Sequence, residues 1–275
     1  NVTSATAVVD ASGVASTLTV GSQATLAKSY GATTAVGVGG SATLTFTINN
    51  GAGNPVQSNL GFTDTFLAGT TVTAVSAIAG AGCGGNPSFT ATTVVLAAGT
   101  MTAGTASCTF TATIQGTAAG SYLNDNARFS GRTGGISTTA TAATLDVRQV
   151  LLTKNYAPAS VVATGTSVLT FTLTNGAGNP AQSNITFTDT LTAGAGLTIN
   201  SVTALAGAGC SATTLTFNAT SPASVTLTGA NMTAGTGTCT FTVNVTGNTA
   251  GTYANPAANV TSATAVVDAS GVAST

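Results

Sequence analysis

Histidine, tryptophan and glutamate are absent from the 275-residue chain, and charged residues make up only 4% of it. Lacking histidine and any carboxylate pair, the chain has little with which to run acid–base chemistry on an external substrate, so no enzyme is expected. The formal net charge of −1 leaves no basic footprint for nucleic acid. Mean hydropathy is +0.41, yet no uninterrupted apolar run approaches the length of a membrane span. The four cysteines have neither CxxC spacing nor histidine partners, which argues against zinc. Asp10, Asp125, Asp146 and Asp268 are too scattered for calcium. Neither a metal nor another cofactor is expected. No signal peptide, cell-wall anchor or transmembrane segment is recognisable, so both ends read as cuts in a longer chain.

What remains is alanine, valine, threonine and serine in regular interleaving, broken by 34 glycines. Threonine and valine favour pleated surfaces and the glycine-rich turns interrupt any long helix, so the chain reads as all-β. One stretch is written twice. Residues 45–66, TFTINNGAGNPVQSNLGFTDTF, recur as residues 170–191, TFTLTNGAGNPAQSNITFTDTL. Leu44, Phe46 and Ile48 share one parity before the loop; Leu60, Phe62, Asp64 and Phe66 share one after it, and the second copy repeats both sets. A period of two means half-buried strands, with an aspartate on the buried face of each copy. A lone carboxylate among phenylalanine and leucine is costly unless it is paired or protonated.

Repetition extends further. Residues 1–17 recur letter for letter as 259–275, which is what a window slightly longer than one repeat shows in a tandem array; an artificial duplication is the alternative. Lys28 aligns with Lys154, Asp64 with Asp189, Cys83 with Cys210, Cys108 with Cys239 and Tyr122 with Tyr253. The chain therefore divides into a tail of a preceding module (1–17), module one (18–147) and module two (148–275). Strands are expected near 24–30, 41–49, 59–66, 71–78, 88–96, 106–115 and 121–130. In module two they are expected near 148–156, 166–175, 184–191, 197–204, 213–229, 237–246 and 252–261. Seven short strands per module read as an immunoglobulin-like β-sandwich, although the tryptophan of antibody domains is missing. The junction TTATAATLDVRQVLLTK contains neither glycine nor proline, so an extended segment joins the two sandwiches and an elongated rod is expected.

Lys28 and Lys154 are the only lysines, at matched positions in phase with apolar neighbours. Each module thus has an inward lysine, an inward aspartate and an asparagine on its last strand, Asn124 or Asn255. A buried amine loses its charge and becomes nucleophilic, while a buried carboxyl stays protonated. Together these groups suit attack of lysine on the asparagine amide, with aspartate as proton shuttle and ammonia as leaving group. An intramolecular isopeptide bond between first and last strands would result. Two alternatives stand beside it: a buried Lys–Asp ion pair hydrogen-bonded to asparagine, which adds little net stability, or solvated lysines on strands of the opposite phase. Asn50 and Asn175 are the second-choice acceptors.

The motifs L-x-K-x-Y, T-F-T-[IL]-x-N, F-T-D-T and G-[ST]-Y-x-N resemble the conserved-repeat domains of bacterial surface proteins, which recur in tandem in large adhesins and fimbrial proteins. The resemblance covers roughly 20–130 and 148–260. It implies Ig-like sandwiches and, by analogy with related fimbrial domains, Lys–Asn bonds at Lys28, Asp64 and Asn124 and at Lys154, Asp189 and Asn255. The near absence of surface charge departs from that group.

Two cysteines per module, 25 and 29 residues apart, read as intramodule disulfides Cys83–Cys108 and Cys210–Cys239 formed in an oxidising, extracellular setting, with two buried free thiols per module as the alternative. The expected function is structural: part of an extracellular bacterial fibre or surface stalk whose partners are further copies of itself. The rival is an adhesin presenting a glycan- or protein-binding face, for which Phe89 and Phe129, without a clear core phase, are the few aromatic candidates.

Overall fold

The computed structural model describes residues 16–104, 107–137, 140–191, 196–211, 214–235, 237–270 and 272–274. Of the tail 1–17, all but the last two residues lie outside the described residues. Module one contributes β1 (Thr25–Ser29), β2 (Ala35–Gly37), β3 (Ser41–Asn49), β4 (Gln57–Thr65), β5 (Thr70–Val75), β6 (Cys83–Phe89), β7 (Thr93–Met101), β8 (Ser107–Gly116), β9 (Gly120–Asn124), β10 (Phe129–Thr133) and β11 (Ala143–Arg148). Module two contributes β12 (Val150–Ala157), β13 (Thr166–Asn175), β14 (Gln182–Thr190), β15 (Leu197–Val202), β16 (Cys210–Ser211), β17 (Thr214–Asn218), β18 (Ser224–Met232), β19 (Gly237–Gly247), β20 (Asn255–Pro256), β21 (Val260–Thr261), β22 (Val267–Asp268) and β23 (Ala273–Ser274).

Each module is a β-sandwich. In module one a sheet ordered β1-β3-β8-β5 faces a sheet ordered β10-β4-β7-β6, and a short third sheet, β2-β11-β9, runs along one side. Module two repeats the two main layers as β15-β19-β13-β12-β22 and β16-β18-β14-β21, with β17 also on β18. The alternation read from the sequence is the packing pattern: Leu44, Phe46, Ile48, Leu60 and Phe62 are all buried. Phe46 stacks on Phe110 across β3 and β8, centroids 4.8 Å apart, and Phe62 meets both from the opposite sheet. Phe171, Phe241 and Phe187 rebuild the same trio. Such pairs contribute about 0.5–1.5 kcal/mol each beyond their buried area. Two separate apolar cores result, one per module.

Several expected strand boundaries are corrected. The span 88–96 is a hairpin, β6 and β7, turning at residues 90–92. The described part of 213–229 is likewise two strands, β17 and β18, with Pro222 in the turn. Proline has no N–H for a ladder and marks such breaks. The spans 121–130 and 252–261 are each interrupted by a short 3-10 turn, Asn126–Arg128 and Ala257–Asn259. Asn124 therefore does not lie on the last strand of its module. It ends β9, and β10 and β11 come after it.

Between β11 and β12 only Gln149 intervenes. Its side chain donates to Ala265 O at 2.7 Å, and its carbonyl accepts from Asn179 Nδ2 at 3.3 Å. Asn179 belongs to the duplicated GAGNP loop. Its counterpart Asn54 accepts from the backbone N–H of Ser22 at 2.8 Å, so in both modules this loop grips the chain as it enters.

Candidate functional site

Lysine, aspartate and asparagine reach one point from three sheets. Lys28 stands on β1 opposite Phe46 of β3. Asp64 comes from β4 in the facing sheet, and Asn124 from the end of β9 in the small third sheet. Lys28, Asp64 and Asn124 are all buried, as are Lys154, Asp189 and Asn255. The reading in which the lysines are solvated is thereby overturned.

The Lys28 ammonium donates to both oxygens of Asp64 at 3.3 Å, to Asn124 Oδ1 and to Asp125 O at 3.4 Å. Asn124 Nδ2 donates to Asp64 Oδ2 at 2.9 Å, which closes a three-membered ring of contacts. In module two Lys154 Nζ lies 2.5 Å from Asp189 Oδ1, 2.7 Å from Asn255 Oδ1 and 3.5 Å from Pro256 O. Asn255 Nδ2 donates to Asp189 Oδ2 at 2.7 Å. In both clusters the amine sits beside the amide oxygen and the carboxylate holds the amide nitrogen. Those are the positions of nucleophile, electrophile and proton carrier for amide exchange.

Burial sets the electrostatics. Desolvation pulls Lys28 down to about 8, against the opposing attraction of Asp64. Desolvation also pushes Asp64 up to about 6, against Lys28 and the Asn124 hydrogen bond. Lys154 is likewise lowered, mainly by desolvation. The Tyr156 hydroxyl beside the second cluster is raised to about 12 by burial and by Asp189. Opposed shifts of this kind bring the amine toward its neutral form and the carboxyl toward its acid form near neutral pH.

Asn50 and Asn175, the second-choice acceptors, do different work. Asn50 Nδ2 donates to Pro55 O and Thr102 O at 2.9 and 2.8 Å, and Asn175 repeats this on Pro180 O and Thr233 O. They pin the GAGNP loop.

The sequence does not single out the remaining groups around the clusters as participants. Phe129 pairs with Asp64 across β10 and β4, and its ring centroid lies 4.0 Å from Lys28 Nζ. Module two places Val260 opposite Asp189 instead. Thr141 Oγ1 accepts from Lys28 N at 2.9 Å and covers the free edge of β1. Tyr122 turns back to donate to Ala118 O at 2.8 Å, and Tyr253 to Thr249 O at 3.0 Å, an arrangement like the tyrosine corner of Ig sandwiches. Gly69 permits it: with φ +99°, it would place a Cβ only 2.0 Å from the Tyr122 hydroxyl.

The disulfides are present. Cys83–Cys108 ties β6 to β8 and Cys210–Cys239 ties β16 to β19, so each joins the two main sheets of its module. Among the described residues no group of three or more potential ligands could hold a metal ion, and no helix is long and apolar enough to cross a membrane.

Fold and site together define a disulfide-stapled Ig-like β-sandwich with a buried lysine–aspartate–asparagine cluster, present twice in tandem. The chain belongs to the DUF7933 family, described as a domain of unknown function, which matches residues 24–147 and again 151–274. A search of curated proteins found no matching relative. Among solved structures, the chain is similar to BspA_C_mut at 9% identity, covering 85% of this chain and 92% of that one, with a TM-score of 0.48. A non-cellulosomal cohesin from the archaeon Archaeoglobus fulgidus matches at 11% identity, covering 46% of this chain and 91% of its own, TM-score 0.32. The collagen adhesin of S. aureus matches at 10% identity over 81% and 80% of the two chains, TM-score 0.24.

Proposed function

We propose that the protein is a load-bearing segment of an extracellular bacterial fibre or surface stalk, each module locked by a Lys–Asn isopeptide bond in addition to its disulfide. The observation that carries this reading is the duplicated buried cluster. A lone structural ion pair would gain little after desolvation, whereas the same three groups in the same contacts, twice, suit a reaction. The neutral Lys28 amine attacks Asn124 Cγ, and Asp64 relays a proton from Nζ to Nδ2. The C–Nδ2 bond breaks and ammonia departs. Lys154, Asp189 and Asn255 do the same in module two. The product joins β1 to β9 in module one and β12 to β20 in module two, rather than the first strand to the last.

Intact mass of fully reduced protein tests the bond. Wild type loses one ammonia per module, and Asp64→Ala and Asp189→Ala restore the calculated mass. Reduced wild type at its full calculated mass refutes the cross-link and leaves the ion pair.

One observation favours an adhesin instead. Phe89 and Phe217, on the edge strands β6 and β17, are 45% and 42% exposed at matched places in the two modules. Loss of cell or glycan binding in a Phe89→Ser/Phe217→Ser variant of the two-module protein would support that reading over the purely structural one.

A further inference from the structure

Asn259 touches the second cluster without belonging to its lysine–aspartate–asparagine trio. It is the last residue of the 3-10 turn Ala257–Asn259, which follows β20 and leads into β21. That single turn folds its side chain back onto the residue four positions earlier, and Asn259 Nδ2 donates to Asn255 Oδ1 at 3.0 Å. The next residue, Val260, lies opposite Asp189 across β21 and β14. The turn is therefore held against the strand that carries the carboxylate.

Asn255 Oδ1 accepts two hydrogen bonds, one from Lys154 Nζ at 2.7 Å and one from Asn259. The amide nitrogen is committed to Asp189 Oδ2 at 2.7 Å, which fixes the end of the amide that faces the lysine. The two donors fare differently during amide exchange. When the Lys154 nitrogen attacks Asn255 Cγ, the carbonyl electron pair moves onto Oδ1, and the nitrogen leaves its place beside that oxygen to reach the carbon. Asn259 Nδ2 stays, aimed at the atom on which negative charge develops. A donor fixed in advance at a developing oxyanion, in a site closed to water, lowers the barrier of acyl transfer directly. Asn255 is 1% exposed, so the oxygen is such a site.

Module one is built differently at this point. Its turn, Asn126–Arg128, ends on Arg128 where module two has Asn259. Among the described residues, the Lys28 ammonium is the only side-chain donor to Asn124 Oδ1. Arg128 acts at longer range, its charge opposing the upward push of burial on Asp64. Asn124 thus reaches its lysine and aspartate without a partner like Asn259, so the Asn259 contact is not needed to place the asparagine.

We propose that Asn259 is a catalytic residue of module two, the oxyanion donor for formation of the Lys154–Asn255 bond. This rests on reading the buried trio as a cross-linking site. In the step it serves, the Nζ–Cγ bond forms and Asp189 relays a proton from Nζ to Nδ2. The electron pair held on Oδ1 returns to the carbonyl as the Cγ–Nδ2 bond breaks, and ammonia leaves.

Timed cell-free synthesis of the 275-residue chain tests the role. Samples are quenched in denaturant at intervals and digested, and mass spectrometry follows the branched peptides joining Lys154 to Asn255 and Lys28 to Asn124 separately. Asn259→Ala removes the donor, and Asn259→Leu removes it while keeping the bulk of the side chain. Loss of one oxyanion donor slows acyl transfer by about 10²–10³-fold in enzymes. Both variants should form the module-two bond at least about tenfold more slowly than wild type, with the module-one bond unchanged in the same molecules. Circular dichroism and closure of Cys210–Cys239 check that module two folds. An unchanged module-two rate in both variants overturns the proposal. A slow Ala variant beside a Leu variant at the wild-type rate also overturns it, since packing and not the hydrogen bond is then responsible. Equal slowing of both modules does the same, because folding is then the cause. Each of these results leaves the cross-link standing, whereas wild type without the Lys154–Asn255 branched peptide removes the cross-link and the role of Asn259 together.

Discussion

Pulling on the protein by its ends reads the cross-link directly, because the structure sets how much chain can be released. Load enters module one at β1 and leaves by β11. Without a cross-link and with the disulfide reduced, the whole module from Thr25 to Arg148 unravels. About 120 residues at ~3.5 Å each then give a step of roughly 400 Å, before the folded length is subtracted. With Lys28 bonded to Asn124, residues between them are bypassed and cannot extend. Only the segment after Asn124, which includes β10 and β11, peels away: about 24 residues, or roughly 80 Å. β11 is held by β2 on one side and β9 on the other, so this shorter event still needs a ladder to break. A sandwich held by hydrogen bonds alone opens at a finite rate, and force acts on that rate. Single-molecule force spectroscopy under reducing conditions should show only the short steps in wild type. The Asp64→Asn/Asp189→Asn variant should show the long ones. Long steps in wild type would refute the reasoning, because no covalent link then spans β2 to β8.

The same cluster has a pH signature. In an Asn124→Ala variant, which has no acceptor, Lys28 stays free; with its folded pKa near 8 and an unfolded value of 10.5, the unfolded chain binds more protons between those values. Stability then rises with pH across that window, by about 3 kcal/mol if the full shift is expressed. Asp64, raised from 3.8 to about 6, has the opposite sign: the folded state binds more protons there, so stability falls as pH rises through that range. Chemical denaturation of the variant at several pH values should find its minimum between about 6 and 8, while cross-linked wild type should lack the alkaline rise. Each disulfide closes a loop of 25 or 29 residues and should contribute about 3 kcal/mol, measured as the loss on Cys83→Ala/Cys108→Ala. Alkylation of unreduced, unfolded wild type should capture no thiol. Phe129→Val, which copies Val260 of module two, should cost roughly 2 kcal/mol through the lost edge contact with Phe62 and the space left in the core. Tyr122→Phe should cost about 1 kcal/mol through the hydrogen bond to Ala118, read in the same denaturation experiment.

Alternation and repetition were enough to read the sandwich. Period-two patterns at Leu44–Ile48 and Leu60–Phe66 report which side chains face inward, because a strand one residue out of phase would turn all of them to solvent. The same argument put Lys28, Asp64, Lys154 and Asp189 inside, and the pairing of cysteines between copies pointed to their disulfides. Where the strands break was not legible. The turns at 90–92 and around Pro222 interrupt stretches whose local composition is that of a strand, and pairing with a neighbour decided between one strand and two. Nor could local pattern tell that Asn124 precedes two further strands, since which strand closes a module depends on long-range order in the sheet. Phe129 over Lys28 and the entry-chain contacts of Asn54 and Asn179 arise between residues tens of positions apart, where no sequence period operates.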